Sequence, residues 1–126
     1  MSHDPIDPTL IEELIELDPE SGVELVREVI GIFFAEAPAR LDLMRSGLAE
    51  GDVNRVIQSA HAMKGGAHSL GAMQVAQLCA DIEERGRRGD VADLGQVVDL
   101  IEVILPRIGS ALEARVAAIA RTLAGT

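Results

Sequence analysis

Apolar residues recur along this chain at helical spacing, and the pattern predicts five helices in succession. Asp7-Pro8 reads as an N-cap acid followed by proline at the first helical position. Leu10, Leu14 and Leu17 then predict a short helix over 8–17, which Asp18-Pro19 stops. This helix is expected to cover one end of the core. Ser21, with Glu24 three residues on, has the capping-box arrangement. It opens a long helix over 21–49, with Val26, Ile30, Phe33, Ala37, Leu41, Met44 and Leu48 facing inward. Pro38 inside that stretch predicts a kink or a division into two helices. Gly51-Asp52 is a C-terminal glycine and the next N-cap. A third helix over 52–70 has the apolar stripe Val53, Val56, Ile57, Ala60, Met63 and Ala67, and Gly71 ends it or bends it into the next. A fourth over 72–88 buries Val75, Leu78, Cys79 and Ile82, and Gly86 and Gly89-Asp90 close it and cap its successor. The last helix, over 91–123, turns Leu94, Val98, Ile101, Leu105, Ile108, Leu112, Val116, Ile119 and Leu123 to the core and is expected to kink at Pro106.

Short turns between long amphipathic helices imply antiparallel neighbours. The expected fold is therefore all-α, an up-and-down antiparallel four-helix bundle with an additional short N-terminal helix. The 126 residues form one domain, with residues 1–5 a frayed leader. Phe33 and Phe34 are the only aromatics, so the core is built from Leu, Ile, Val, Met and Ala, which suits helices more than a sandwich. A single cysteine rules out an internal disulfide and points to a reducing compartment. Residues 1–5 lack the basic region and apolar run of a signal peptide, and no apolar run reaches membrane-span length, so a cytoplasmic location is expected. Met1 and the compact end at Thr126 favour a free-standing protein, expected to be a monomer.

The net charge of −10 argues against nucleic acid and anionic membranes as partners. The charge is uneven: the first 36 residues hold ten acids against Arg27 alone. Arg85, Arg87 and Arg88 cluster at the end of the fourth helix. They read either as basic residues favouring a helix C-terminus or as a docking rim for an acidic partner.

The candidate chemistry lies in the third helix. At about 100° per residue, His61, Lys64, Gly65 and His68 share one narrow strip, and the apolar stripe centres about 110° away. His61 is thus expected beside the buried face and not in it. A neutral imidazole is a nucleophile near neutral pH. A phosphorylated imidazole would carry close to two negative charges, which an ammonium one turn away offsets. Gly65 would leave room for a second protein to reach the ring. Glycine in a helix interior costs about 1 kcal/mol relative to alanine, so Gly65-Gly66 needs a reason. Of eleven basic residues ten are arginine, and the one lysine is Lys64. A flexible point charge differs from a planar fork.

The string Ala60-His61-Ala62-Met63-Lys64-Gly65-Gly66-Ala67, with Leu70-Gly71-Ala72, Leu78-Cys79, Ile82-Glu83 and Gly89-Asp90, resembles the histidine-containing phosphotransfer family of phosphorelays. The family pattern is roughly A-H-x-[LM]-K-G-[SG]-[AS]-x-x-[LVF]-G-[AF], then a helix with a small residue or cysteine and L/I-E. Gly66 stands where many members have serine. The resemblance implies the same helical bundle. It also implies His61 as phosphoacceptor through Nε2, Lys64 as the phosphate-neutralising charge and Gly65 as access to the ring. The implied partners are receiver domains of response regulators or hybrid histidine kinases, with a histidine kinase as a further donor. The implied function is a phosphocarrier, without kinase activity of its own. No cofactor or metal is expected on this chain, since the Mg²⁺ would sit on the receiver.

Each residue also has a plainer reading. His61 would be an ordinary surface histidine, Lys64 a solvated charge and Gly65 a packing glycine. His68 is a solvent-facing polar residue or a contact to the phosphoryl group or partner. Two histidines at i and i+7 are too far apart for most single-metal sites. Cys79 is expected to be a small buried hydrophobe. Glu83, near the same end of the bundle, either helps position His61 or Lys64 or lies on a solvated face, and the solvated face is the favoured reading. Phe33 and Phe34 cannot both face one core, so Phe34 is a candidate for an exposed docking residue beside His68 and Arg85. Docking would use apolar residues around His61, and the −10 charge would oppose steering of an acidic receiver unless a local basic patch helps. Two rivals stand against the phosphocarrier. One is a helical adaptor whose histidine is incidental. The other is a kinase dimerisation helix pair, which needs a following ATP-binding domain and usually an acid after the histidine, where this chain has Ala62.

Overall fold

The computed structural model describes residues 6–125. The expected leader and His3 lie outside them. Five helices follow in order: α1 Thr9–Leu17, α2 Gly22–Glu50, α3 Val53–Leu70, α4 Met73–Arg87 and α5 Leu94–Ala124. Helix α3 packs between α2 and α4, and α5 closes the ring against the other side of both. The two-residue turns Gly51-Asp52 and Gly71-Ala72 force consecutive helices to run antiparallel. This is the expected four-helix bundle with a short helix added. Its core is the inward stripe of each long helix, from Val26 and Met44 on α2 to Ile101 and Leu112 on α5, all essentially inaccessible to water.

Local chemistry sets the ends of α3. The Asp52 side chain accepts a hydrogen bond from the Arg55 backbone N–H at 3.1 Å, the N-cap that the sequence suggests. Gly71 ends the helix in the left-handed region (φ 74°), and its N–H returns to the Ala67 and His68 carbonyls.

Other details depart from expectation. Ser21 makes no side-chain cap. Asp18 takes that place, accepting the Ser21 N–H on its side chain and the Gly22 N–H on its carbonyl. Asp90 does not cap α5, which begins at Leu94 after Asp93 in a left-handed conformation (φ 66°). Gly86 does not close α4 but lies inside it. Helices α2 and α5 run unbroken through Pro38 and Pro106, which line one shallow recess with Phe34, Ala37, Leu41, Glu102 and Leu105.

The largest correction is the rotation of α1. Ile11 and Ile15 are fully buried, whereas Leu10, Leu14 and Leu17 are exposed. Both sets have helical spacing, and packing against α2 chooses between them: Ile15 Cα lies 2.7 Å from where a Cβ would stand on Gly22, so the backbones touch there. α1 sits across one end of the bundle, over the start of α2 and the α3–α4 turn, with Glu12 3.7 Å from Arg115 of α5.

Candidate functional site

The site is built by the closest helix pair, α3 and α4. Gly86 lets them approach: a Cβ there would stand 2.9 Å from Ile57 Cγ1 and 3.7 Å from Val53 Cγ1. Three residues before Gly86, α4 places Glu83 beneath the outward strip of α3. Glu83 is buried, with its side chain only 2% exposed, yet it meets three groups. Its Oε2 lies 3.1 Å from His61 Nδ1 and accepts from Arg87 Nη2 at 2.9 Å, and its Oε1 lies 2.7 Å from Lys64 Nζ. Burial alone would raise the Glu83 carboxyl, but the contacts from Lys64, His61 and Arg87 outweigh it and hold the group below the usual carboxylate range. A buried carboxylate with this set of partners remains ionised.

His61 has the opposite character. Its side chain is 68% exposed, standing on the rim of α3 with only its Nδ1 edge drawn toward α4. Lys64 is half-buried, its stem along the helix and its ammonium on Glu83. A Cβ on Gly65 would meet nothing within 4 Å, so the space beside the ring is open and the glycine is not there for packing. Gly66 is the packing glycine: a Cβ there would come within 2.8 Å of Phe33 Cδ1. Phe33 therefore supports the back of α3 from α2.

The three residues singled out as partner contacts part company. His68 is exposed two turns beyond His61 on the same strip. Phe34 is half-buried and turned to α5, 3.3 Å from the Cβ position of Gly109, with its ring edge-on to Phe33. Arg85 is engaged by its own chain, holding the α4–α5 turn through Asp81 at 3.5 Å, Asp90 at 3.6 Å and the carbonyl of Ala92. Within the arginine cluster it is Arg87 that reaches the site.

Glu83 is the residue whose place differs most from expectation. It is not on a solvated face. The available signal was its phase, since Val75, Ala76, Cys79, Ile82, Glu83 and Gly86 form the buried stripe of α4. Cys79, one turn earlier, is buried as expected, and desolvation pushes its thiol up to about 12, so it is inert as a nucleophile. Among the described residues no group of three or more His, Cys, Asp or Glu side chains is arranged to hold a metal ion. No described helix is long and apolar enough to cross a membrane.

The fold and the site define a helical-bundle protein with an exposed imidazole backed by a buried carboxylate and an ammonium one turn along. The family profile described as Hpt domain matches residues 28–122, and the chain belongs to that family. Two solved structures are similar to it in fold. Histidine-containing phosphotransfer protein B of Pseudomonas aeruginosa is 21% identical, with a TM-score of 0.78, covering 93% of this chain and 98% of its own. The histidine-containing phosphotransfer domain of ArcB from Escherichia coli is 22% identical, with a TM-score of 0.79, covering 90% and 94%. A search of curated sequences finds no match.

Proposed function

We propose that this protein is a phosphocarrier that relays a phosphoryl group through His61 between the aspartates of two receiver domains, or from a histidine kinase to a receiver. The observation that carries this is the His61 ring, held at Nδ1 by Glu83 and open on the Gly65 side, which leaves Nε2 as the nitrogen a partner can reach. Lys64 is the charge that offsets the phosphoryl oxygens, drawn from its place on Glu83. The Mg²⁺ and acidic pocket belong to the receiver, and no nucleotide-binding loop on this chain supports kinase activity. The protein acts as a monomer in the cytoplasm.

The docking face extends from His61 onto α2 and α1. Leu25, Val29 and Ile32 form an exposed apolar stripe on α2, ending one residue before Phe33, whose ring lies under Gly66. Leu10, Leu14 and Leu17 form a second stripe on α1, whose backbone at Leu14 and Ile15 lies against Gly22 at the start of α2. Apolar side chains exposed in rows of this kind mark interaction surfaces.

The test is phosphotransfer from a phosphorylated receiver domain with Mg²⁺, scored as acid-labile, base-stable label on this chain. Label on the wild type and none on His61→Gln is the expected result. Label that persists in His61→Gln overturns His61 as the acceptor, and no label from a broad panel of receivers and kinases overturns the reading in favour of a helical adaptor. Ile32→Glu is expected to raise the receiver concentration needed for half-maximal rate about tenfold, while chemical phosphorylation of His61 by phosphoramidate is unchanged.

A further inference from the structure

The apolar stripes of α1 and α2 have the same acidic border. On α2, Glu28 comes three residues after Leu25 and four before Ile32, so it stands on the edge of their stripe, and Glu24 lies one turn before it on that edge. On α1, Glu13 has the same spacing to Leu10 and Leu17. All three acids are exposed, and among the described residues none has an ion-pair partner. Nearby acids are engaged: Glu12 lies 3.7 Å from Arg115, and Asp18 accepts the Ser21 backbone N–H. Arg27, the one arginine among the first 36 residues, is no counterweight. It lies seven residues before Phe34, two turns along the flank of α2 that faces α5.

Around His61 the sign is reversed. Phe33 meets α3 at Gly66, and a Cβ on Gly47 would stand 2.7 Å from Val56 Cγ2. Between these two contacts the antiparallel pair brings Arg40 of α2 to the level of His61. Arg40 is held by Glu36 at 2.9 Å, while Lys64 and Arg87 share Glu83. Three cations against two carboxylates leave one positive charge around His61. The face is thus bipolar: basic where the phosphoryl group passes, and acidic along the apolar stripes.

A receiver brings its acidic pocket to His61, which suits the basic end. We propose that the acidic border selects among receivers: it fits those with basic side chains beside an apolar docking surface, and Glu13, Glu24 and Glu28 are the specificity-determining residues that receive them. This rests on the phosphocarrier reading and adds the charge of the partner. The same charges exclude other occupants. A second copy of this face has the same acidic surplus and is repelled, as is an anionic membrane. A receiver with an acidic docking surface meets that repulsion too. Exposed carboxylates act over about a Debye length, roughly 10 Å at 0.1 M salt. They therefore govern the encounter, and the apolar side chains beside them hold the complex.

The test times transfer from His61, loaded beforehand with phosphoramidate, to a panel of receiver domains that differ in the charge of their docking surfaces. Loading first separates docking from the reactivity of the ring. The fastest receivers are expected to be those with basic docking surfaces, and their second-order transfer rate to fall about tenfold between about 50 and 500 mM salt. The triple variant E13Q/E24Q/E28Q is expected to need about tenfold more of such a receiver for half-maximal rate at low salt, to keep the rate at saturation, and to match the wild type at high salt. Glu113→Gln, which removes an exposed acid of α5 away from this face, is expected to stay close to wild type. Circular dichroism reports whether each variant is folded. Neutral or acidic receivers that react fastest, a rate indifferent to salt, a folded triple variant as fast as wild type, or equal losses per charge in Glu28→Gln and Glu113→Gln overturn the proposal. So does a wild type that dimerises through this face in sedimentation. A wild type that phosphoramidate cannot load, or that no receiver discharges, overturns the phosphocarrier reading itself.

Discussion

Gly65 and Gly66 are neighbours with opposite tasks. Open space surrounds the Cβ position of Gly65, while that of Gly66 runs into the Phe33 ring. Gly65→Ala should therefore raise stability by about 1 kcal/mol, the helix-propensity gain, and still slow phosphotransfer because the methyl stands where a partner approaches. A urea titration beside a transfer assay checks both halves. Gly66→Val should lower stability by about 1–3 kcal/mol, since Phe33 must shift to admit it. The double glycine, its helical face and the singular Lys64 were legible in the chain. The charge of Glu83 favours a solvated face over the alternative of positioning His61 or Lys64, whereas its phase, next to Ile82, places it inside. Its three partners come from two helices, and only their packing makes burial tolerable.

At the scale of elements, α2, α3 and α4 begin and end within a residue or so of their expected bounds, because each long helix has a marked apolar stripe and α3 has real caps. Helix α1 shows what a stripe cannot decide. Leucines at 10, 14 and 17 and isoleucines at 11 and 15 both suit a helical face, and the contact with Gly22 selects the isoleucines. Pro38 does not divide α2, since tertiary contacts on both sides of it hold the helix together. The α3–α4 turn is where α1's leading segment is fastened: the Asp7 N–H donates to the Gly71 carbonyl at 2.6 Å. Gly71 has φ 74°, and a Cβ there would sit 1.8 Å from the Asp7 carbonyl oxygen. Gly71→Ala is expected to cost about 1–3 kcal/mol, seen as a Tm lower by several degrees in thermal unfolding.

For the whole molecule, the buried Glu83 links stability to pH. Its carboxyl is held below the usual range in the folded state, so the unfolded chain takes up the proton first as pH falls. The stabilisation is complete above the unfolded pKa of about 4.3 and disappears as pH drops through the lower folded value. Urea midpoints of wild type and Glu83→Gln should keep a constant gap from pH 7 down to about that point and converge below it. The periodicity of the chain determined the helices, their number and their antiparallel order, because burying one stripe per helix leaves few arrangements. The residue types and spacing around His61 determined the candidate nucleophile, since they are local to a single turn of helix. Only the tertiary structure decided which face of α1 is buried, which phenylalanine supports α3 and which arginine reaches the site. It alone brought Glu83, 22 residues from His61, to the ring nitrogen. Those are contacts between helices, and they depend on how closely two backbones approach and at what rotation, quantities that no single helix carries in its own sequence.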